Sequence, residues 1–469
     1  MEYEIFLNKE DQKSYSLLKY LEKSLHLSEP VAKIQADLGF SDFILKKALK
    51  KLTEDLERMN LAQNFQLLAS DLELTLKIDG TYSSKKLLSE YLKESLSVKL
   101  IIALYKGEFK SIEDFAEKNF VSYSVAYNTL QVLNQTGKLY GIVIRRGTVL
   151  DSEGRVASVI GSLFSLANID YPELYPFGVI VQTERIVQQL QERYPLSTCE
   201  SKKLFHYIAI KIHDGKLSRA ADRGSRYFPA EPLALVSDLL PKQYQEIDYH
   251  IVSWLFVNNK LGQEVVIDDL GADVSALNQL FIEKFAARYG MLPTDVTTRL
   301  VQCLSRLHFN VLYRSINMFD TIDLDFNFFK RYWQDFYLFA VDRTNNLICE
   351  VPELLRFKEF VLFSYLMLLI DHVPVDLLTH PVRVLIDFSY GEKYNRLIWS
   401  HLESFVKVNT VLAPSIEQAD LVITNSNDLY KDNDLETIVW PDLPRSVDWL
   451  MLRNHLIALQ KERPSENES

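Results

Sequence analysis

Two stretches of this chain carry side chains of the types, and at the spacing, that meet a nucleic acid. The first holds Lys46, Lys47, Lys50 and Lys51. On a helical wheel these lysines fall opposite Leu45, Ala48, Leu49, Leu52, Leu56 and Met59, with Glu54 and Glu57 further along the outer face. Lysines beside phosphates release counterions and supply affinity without sequence information. A solvated, lysine-rich surface helix has the same pattern. The second stretch is uncharged. Tyr123, Ser124, Tyr127, Asn128, Gln131 and Gln135 share one face, opposite Val125, Ala126, Thr129, Leu130 and Leu133. Asn and Gln side chains pair bidentately with adenine edges in the major groove. Lys138, Arg145 and Arg146 follow closely enough to meet phosphates, although a neutral spacer helix reads much the same.

The elements that must position these side chains come in a repeated order. Helices are expected over Ser14–Ser24 and Glu29–Leu38, followed by a Gly39-Phe40 turn. Ser41 is a candidate N-cap for a third helix running to about Met59, and Phe65–Ile78 alternates like a hairpin. Three helices and a hairpin make a winged helix-turn-helix. The order then recurs, with helices over Lys85–Lys106, Ser111–Lys118 and Tyr123–Gln135. Strand-like Leu139–Arg145 and Thr148–Leu150 flank a turn at Arg146-Gly147. From Val156 to Leu378 the periodicity is helical, with a division near Leu292-Pro293. Beyond Pro381, strands alternate with helices, which implies a small parallel α/β domain. The expectation is a multidomain, mainly α chain. Winged helix-turn-helix units would occupy 1–80 and 81–160, helical bundles 161–290 and 291–378, and a small α/β domain with a parallel sheet 379–469.

Bulk properties narrow the classes. A chain of 469 residues is too long for one core. Its net charge of −11 argues against a polycation, so any surface for nucleic acid must be local. Cys199, Cys303 and Cys349 form no CxxC pair, which fits a reducing cytoplasm better than a disulfide framework or zinc site. The stretch MEYEIFLNKEDQ has no apolar run of a secretion signal, and Phe360–Ile370 is too short to span a bilayer. Walker A, GxGxxG after a strand, HExxH and nucleophile-elbow motifs are all lacking, so neither an enzyme nor a cofactor or metal is expected.

The segment SIEDFAEKNFVSYSVAYNTLQVLNQTGKLYGIVIRRGTVLDSEGRVASVIGSLFSL resembles the second DNA-binding unit and following helix of Mga-type regulators, the Mga/AtxA-like virulence regulators of Gram-positive bacteria. The similarity extends in order over the chain: tandem winged helices, two bundles like phosphotransferase-system regulation domains (PRD), and a IIB-like C-terminal domain. It implies a homodimeric, cytoplasmic transcription regulator, an activator, that binds double-stranded DNA and is modulated by HPr or other phosphocarriers of the sugar phosphotransferase system. LFHYIAIKIHDGKL is similar to the histidine-bearing helix of the first bundle and makes His206 a phosphorylation candidate. On the wheel His206 and His213 lie together beyond the stripe of Phe205, Ile208 and Ile212, as an accessible pair. LVQCLSRLHFNVLYRSI places His308 at the matching position, but inside the stripe of Leu300, Val301, Leu304 and Val311, where an interior histidine is the default. A IIB enzyme would carry a cysteine after its first strand. This chain reads Phe388-Ser389-Tyr390-Gly391 there, which argues against phosphoryl transfer through that domain. Two other readings share parts of the resemblance: an RNA-binding antiterminator, which begins with an all-β domain, and a phosphotransferase component.

Overall fold

The computed structural model describes residues 3–24, 26–70, 72–139, 142–145, 148–151, 156–214, 228, 230–242, 247–261, 270–313, 326–374, 381–405, 408–426, 435–440 and 443–462. It is mostly helical, with a small four-stranded parallel sheet near the C-terminus. Contacts divide it into two compact units, residues 1–272 with 306–322, and residues 273–305 with 323–469.

The first unit opens with α1 (Lys9–Lys23), β1 (Ser28–Pro30), α2 (Val31–Leu38), α3 (Asp42–Arg58), β2 (Phe65–Ala69) and β3 (Glu73–Ile78). Helix α1 starts five residues earlier than its periodicity suggests. Asn8 caps it, accepting from the backbone N–H groups of Glu10 and Asp11. Ser41 caps α3 by accepting from Ile44 N–H at 3.3 Å. Leu74 and Leu76 of β3 point inward while Glu73 and Lys77 point out, the period-two alternation that fixes register. β3 pairs antiparallel with both β2 and the short β1. Leu17, Leu18, Leu21, Ile34, Leu52, Leu56 and Phe65 are buried along with them.

A second helix-turn-helix follows: α4 (Ser84–Glu94), α5 (Leu96–Tyr105), α6 (Ile112–Lys118), α7 (Tyr123–Leu139), β4 (Ile142–Arg145) and β5 (Thr148–Asp151). The single helix expected over Lys85–Lys106 is two. Ser95 ends α4 in an extended conformation and caps α5, accepting from Ser97 N–H at 3.2 Å, while its hydroxyl donates to the Phe6 carbonyl. That bond crosses 89 positions of chain and could not be read from local periodicity.

Then come α8 (Val156–Ala167), α9 (Tyr171–Leu174), α10 (Phe177–Arg193), α11 (Thr198–Asp214), α12 (Ala230–Ser237) and α13 (Asp248–Val257). Helix α8 packs on α11 at Gly161, where an added Cβ would make an ordinary contact with His206 Cβ at 3.4 Å. Helix α14 (Ala272–Tyr289) lies almost wholly in the second unit, and α15 (Thr294–Tyr313) has its last residues in the first.

The second unit continues with α16 (Phe326–Tyr332), α17 (Gln334–Glu350) and α18 (Lys358–His372), around Phe281, Phe285, Phe339 and Tyr365. The α/β part is β6 (Val382–Asp387), α19 (Glu392–Glu403), β7 (Thr410–Leu412), β8 (Leu421–Thr424), β9 (Glu436–Val439) and α20 (Ser446–Glu462). The sheet order is β7-β6-β8-β9, every pairing parallel, in agreement with the alternation of strands and helices in the sequence. Val382, Val384 and Ile386 pack with Leu402 of α19 and Leu452 and Leu456 of α20, whereas a smaller cluster gathers around Ala413, Ala419 and Val422.

Candidate nucleic-acid interface

Helix α3 buries Leu45, Ala48, Leu52 and Leu56 as its stripe dictates. Its lysines are less free than their spacing suggests. Lys46 reaches Asp42 at 2.9 Å and Lys50 reaches Glu54 at 3.8 Å, both along the exposed face. Lys47 meets Glu10 of α1. Lys51 is half-buried between Asp11 at 3.0 Å and Asp55 at 2.7 Å, with Tyr91 of α4 beneath its ammonium. The four lysines therefore do not share one open face. Lys46 and Lys50 remain outward, and Lys47 and Lys51 turn to α1. A wheel gives the azimuth of a side chain but not the acids a neighbouring helix brings to it.

Asp55 is the centre of this arrangement. It is 6% exposed and accepts from Tyr91 Oη at 2.8 Å, Lys51 Nζ at 2.7 Å and Arg58 at 3.0 Å. Arg58 forks onto Glu94 at the end of α4. Burial raises the Asp55 carboxyl, but the hydrogen bonds from Lys51, Tyr91 and Arg58 outweigh it and leave the group below its ordinary range. The first recognition-type helix is thus clamped to the connecting helix by its own charges. Asp11 is held above its usual value, mainly by burial.

Helix α7 is built differently. Ser122 caps it, accepting from Val125 N–H at 3.3 Å. Ala126 and Leu133 are buried, and Thr129 and Leu130 are half-buried. Val125, expected on the packed face, is 47% exposed, because contact begins at Ala126 and the stripe is narrower than the wheel suggests. Ser124, Asn128, Gln131 and Gln135 are exposed as expected, and Tyr123 stacks on Tyr127 with ring centroids 6.0 Å apart. The wing is tied to the helix by Asn134, whose Oδ1 accepts from Ile144 N–H at 3.1 Å. Lys138 is exposed near the end of α7, and Arg145 ends β4 opposite Thr148. Arg146 lies outside the described residues.

The structure corrects the expected exposure of His206. Residues 204–212 of α11 are all buried, so this helix is enclosed on every side and a one-stripe wheel does not apply. His206 is fully buried; Tyr175 Oη lies 2.9 Å from its Nδ1, and among the described residues Nε2 has no hydrogen-bond partner. Burial, with Lys202 nearby, pushes its pKa down to about 3, so the imidazole is neutral. His213 packs on the ring of Tyr105 instead, with centroids 5.0 Å apart. His308 is buried, as its place in the apolar stripe implies, with its pKa pushed down to about 3 by burial. In the C-terminal turn after β6, Ser389 and Asn425 hydrogen-bond each other through backbone and side chain, and Gly391 leads into α19 with φ 89°.

Among the described residues, no helix is long and apolar enough to cross a membrane. Residues 80–155, from just before α4 to the end of the wing, match the family model of the Mga helix-turn-helix domain. The chain therefore carries a DNA-binding helix-turn-helix domain of the Mga type, the kind that transcription regulators use. No curated protein matches the chain.

Proposed function

We propose that this protein is a cytoplasmic, homodimeric transcription activator of the Mga type, in which α7 reads base edges and α3 grips phosphates. The observation that carries this reading is the exposed, uncharged row Ser124, Asn128 and Gln131, within the stretch that matches the Mga domain. A recognition helix enters the major groove by its N-terminal part, and amides there offer the donor–acceptor pairs that adenine complements. Lys46, Lys50 and Lys138 are exposed cations that meet phosphates in this reading, Lys46 and Lys50 by exchanging Asp42 and Glu54. The central helices are PRD-like in this reading, and the α/β domain is IIB-like without its cysteine. Control by HPr or another phosphocarrier at His206 or His308 would require either ring to become accessible, because both are buried.

Anisotropy titrations of labelled duplex across salt concentrations test the reading. Tight binding at low salt that weakens steeply as salt rises is the expected result. Negligible affinity for any duplex at low salt, or preferential capture by a hairpin RNA, would sink it.

A further inference from the structure

Four turns that end helices in the first unit close alike. The residue after the last turn takes a left-handed conformation, and the next N–H reaches back five residues. It does so from Phe40 to Gln35, Leu61 to Leu56, Glu108 to Ala103 and Lys260 to Leu255. The left-handed residues are Gly39, Asn60, Gly107 and Asn259, with φ between 56° and 69°. Glycine and asparagine are the types that tolerate this conformation. A fifth turn is the one that enters α7. Phe120 N–H donates to the Glu117 carbonyl at 3.2 Å and Val121 N–H to the Ala116 carbonyl at 3.0 Å, and the left-handed residue is Phe120 with φ 55°.

A phenylalanine is the wrong type for that backbone, and its ring gains no compensation from packing, since it is 96% exposed. Leu27, another apolar residue with positive φ, is at least partly buried. Beside Phe120 the first turns of α7 expose Tyr123, Val125 and Tyr127, on the end of the helix that also bears Ser124 and Asn128. An apolar group beside base-reading amides complements the C5-methyl group of thymine in the major groove. We infer that Phe120, with Val125, is a specificity residue that packs on thymine methyl groups at the edge of the sequence read by α7. This rests on the DNA-reading role given to α7 above.

The test uses the full-length protein, a duplex enriched on it from a random pool, and the same duplex with deoxyuridine in place of every thymine. Phe120→Gly should melt no lower than the parent, because glycine relieves the backbone. It should bind the thymine duplex about tenfold more weakly. Removing the methyl groups should weaken the parent by a similar factor and Phe120→Gly little. A lower melting temperature would assign the ring a structural role and overturn the inference. So would an equal thymine-to-uracil ratio in both proteins, the result expected if the patch served a protein partner or if only duplex shape mattered. Failure of the parent to bind any duplex would instead bring down the DNA-reading role itself, and this inference with it.

Discussion

In the first winged unit each lysine of α3 stands beside an acid of the same unit, whereas α7 in the second presents hydroxyls, amides and rings with no charge before Lys138. Two helices at matching places in one repeated architecture thus present different surfaces. Charges on α3 that are engaged within the protein hold α1, α3 and α4 in register; on α7, Asn134 ties the wing while Ser124, Asn128 and Gln131 stand exposed. A lysine engaged by a carboxylate must exchange it for a phosphate, so its net contribution to DNA affinity is smaller than that of an unpaired one. Positive spacing alone overstates a binding face.

The comparison can be broken most directly at Asp55. Asp55→Ala leaves Lys51, Arg58 and Tyr91 without their shared acceptor and should lower stability by about 2 kcal/mol in urea denaturation. Because the Asp55 pKa is depressed on folding, its contribution is present above the unfolded value of about 4 and is lost as pH falls below that. If Asp55→Ala left stability unchanged, the charges of α3 would not be structural.

Next in size, Asn128→Ala with Gln131→Ala should leave the melting temperature unchanged, yet cut discrimination between the enriched duplex and random duplex by roughly tenfold or more. Lys46→Ala with Lys50→Ala should weaken both duplexes alike and reduce the salt slope by at most about 2. Indistinguishable behaviour of the two pairs would erase the division of labour. The smallest effect belongs to Gly39→Ala, where nothing lies within 4 Å of an added Cβ and only φ 65° opposes it. About 1 kcal/mol of destabilisation is expected there, measured by thermal melting.

The buried histidines supply a separate handle. Folding depresses the His206 and His308 pKa values from 6.5 to about 3, so the unfolded chain binds more protons between those limits. Stability should be fully retained above pH 6.5 and fall as pH drops from there towards 3. His308→Gln should flatten the fall, and a melt that did not change with pH would contradict the burial of both rings.

Much of this was legible in residue order because it depends on local chemistry. Ser41 caps the helix it precedes, alternation at Leu74 and Leu76 marks a strand, and the change of texture after Pro381 marks a parallel sheet. The exposed polar face of α7 was legible for the same reason, since its outer residues are set by helical period alone. Tertiary structure decided what period cannot carry. It brought Glu10 and Asp11 to the lysines of α3, split the helix at Ser95 through Phe6, and enclosed α11 so that His206 lost its expected exposure. It also set Phe120 in a left-handed turn with its ring in solvent. A wheel describes one helix in isolation. Which charges are neutralised, and which rings are covered, depends on neighbours that the chain supplies from elsewhere.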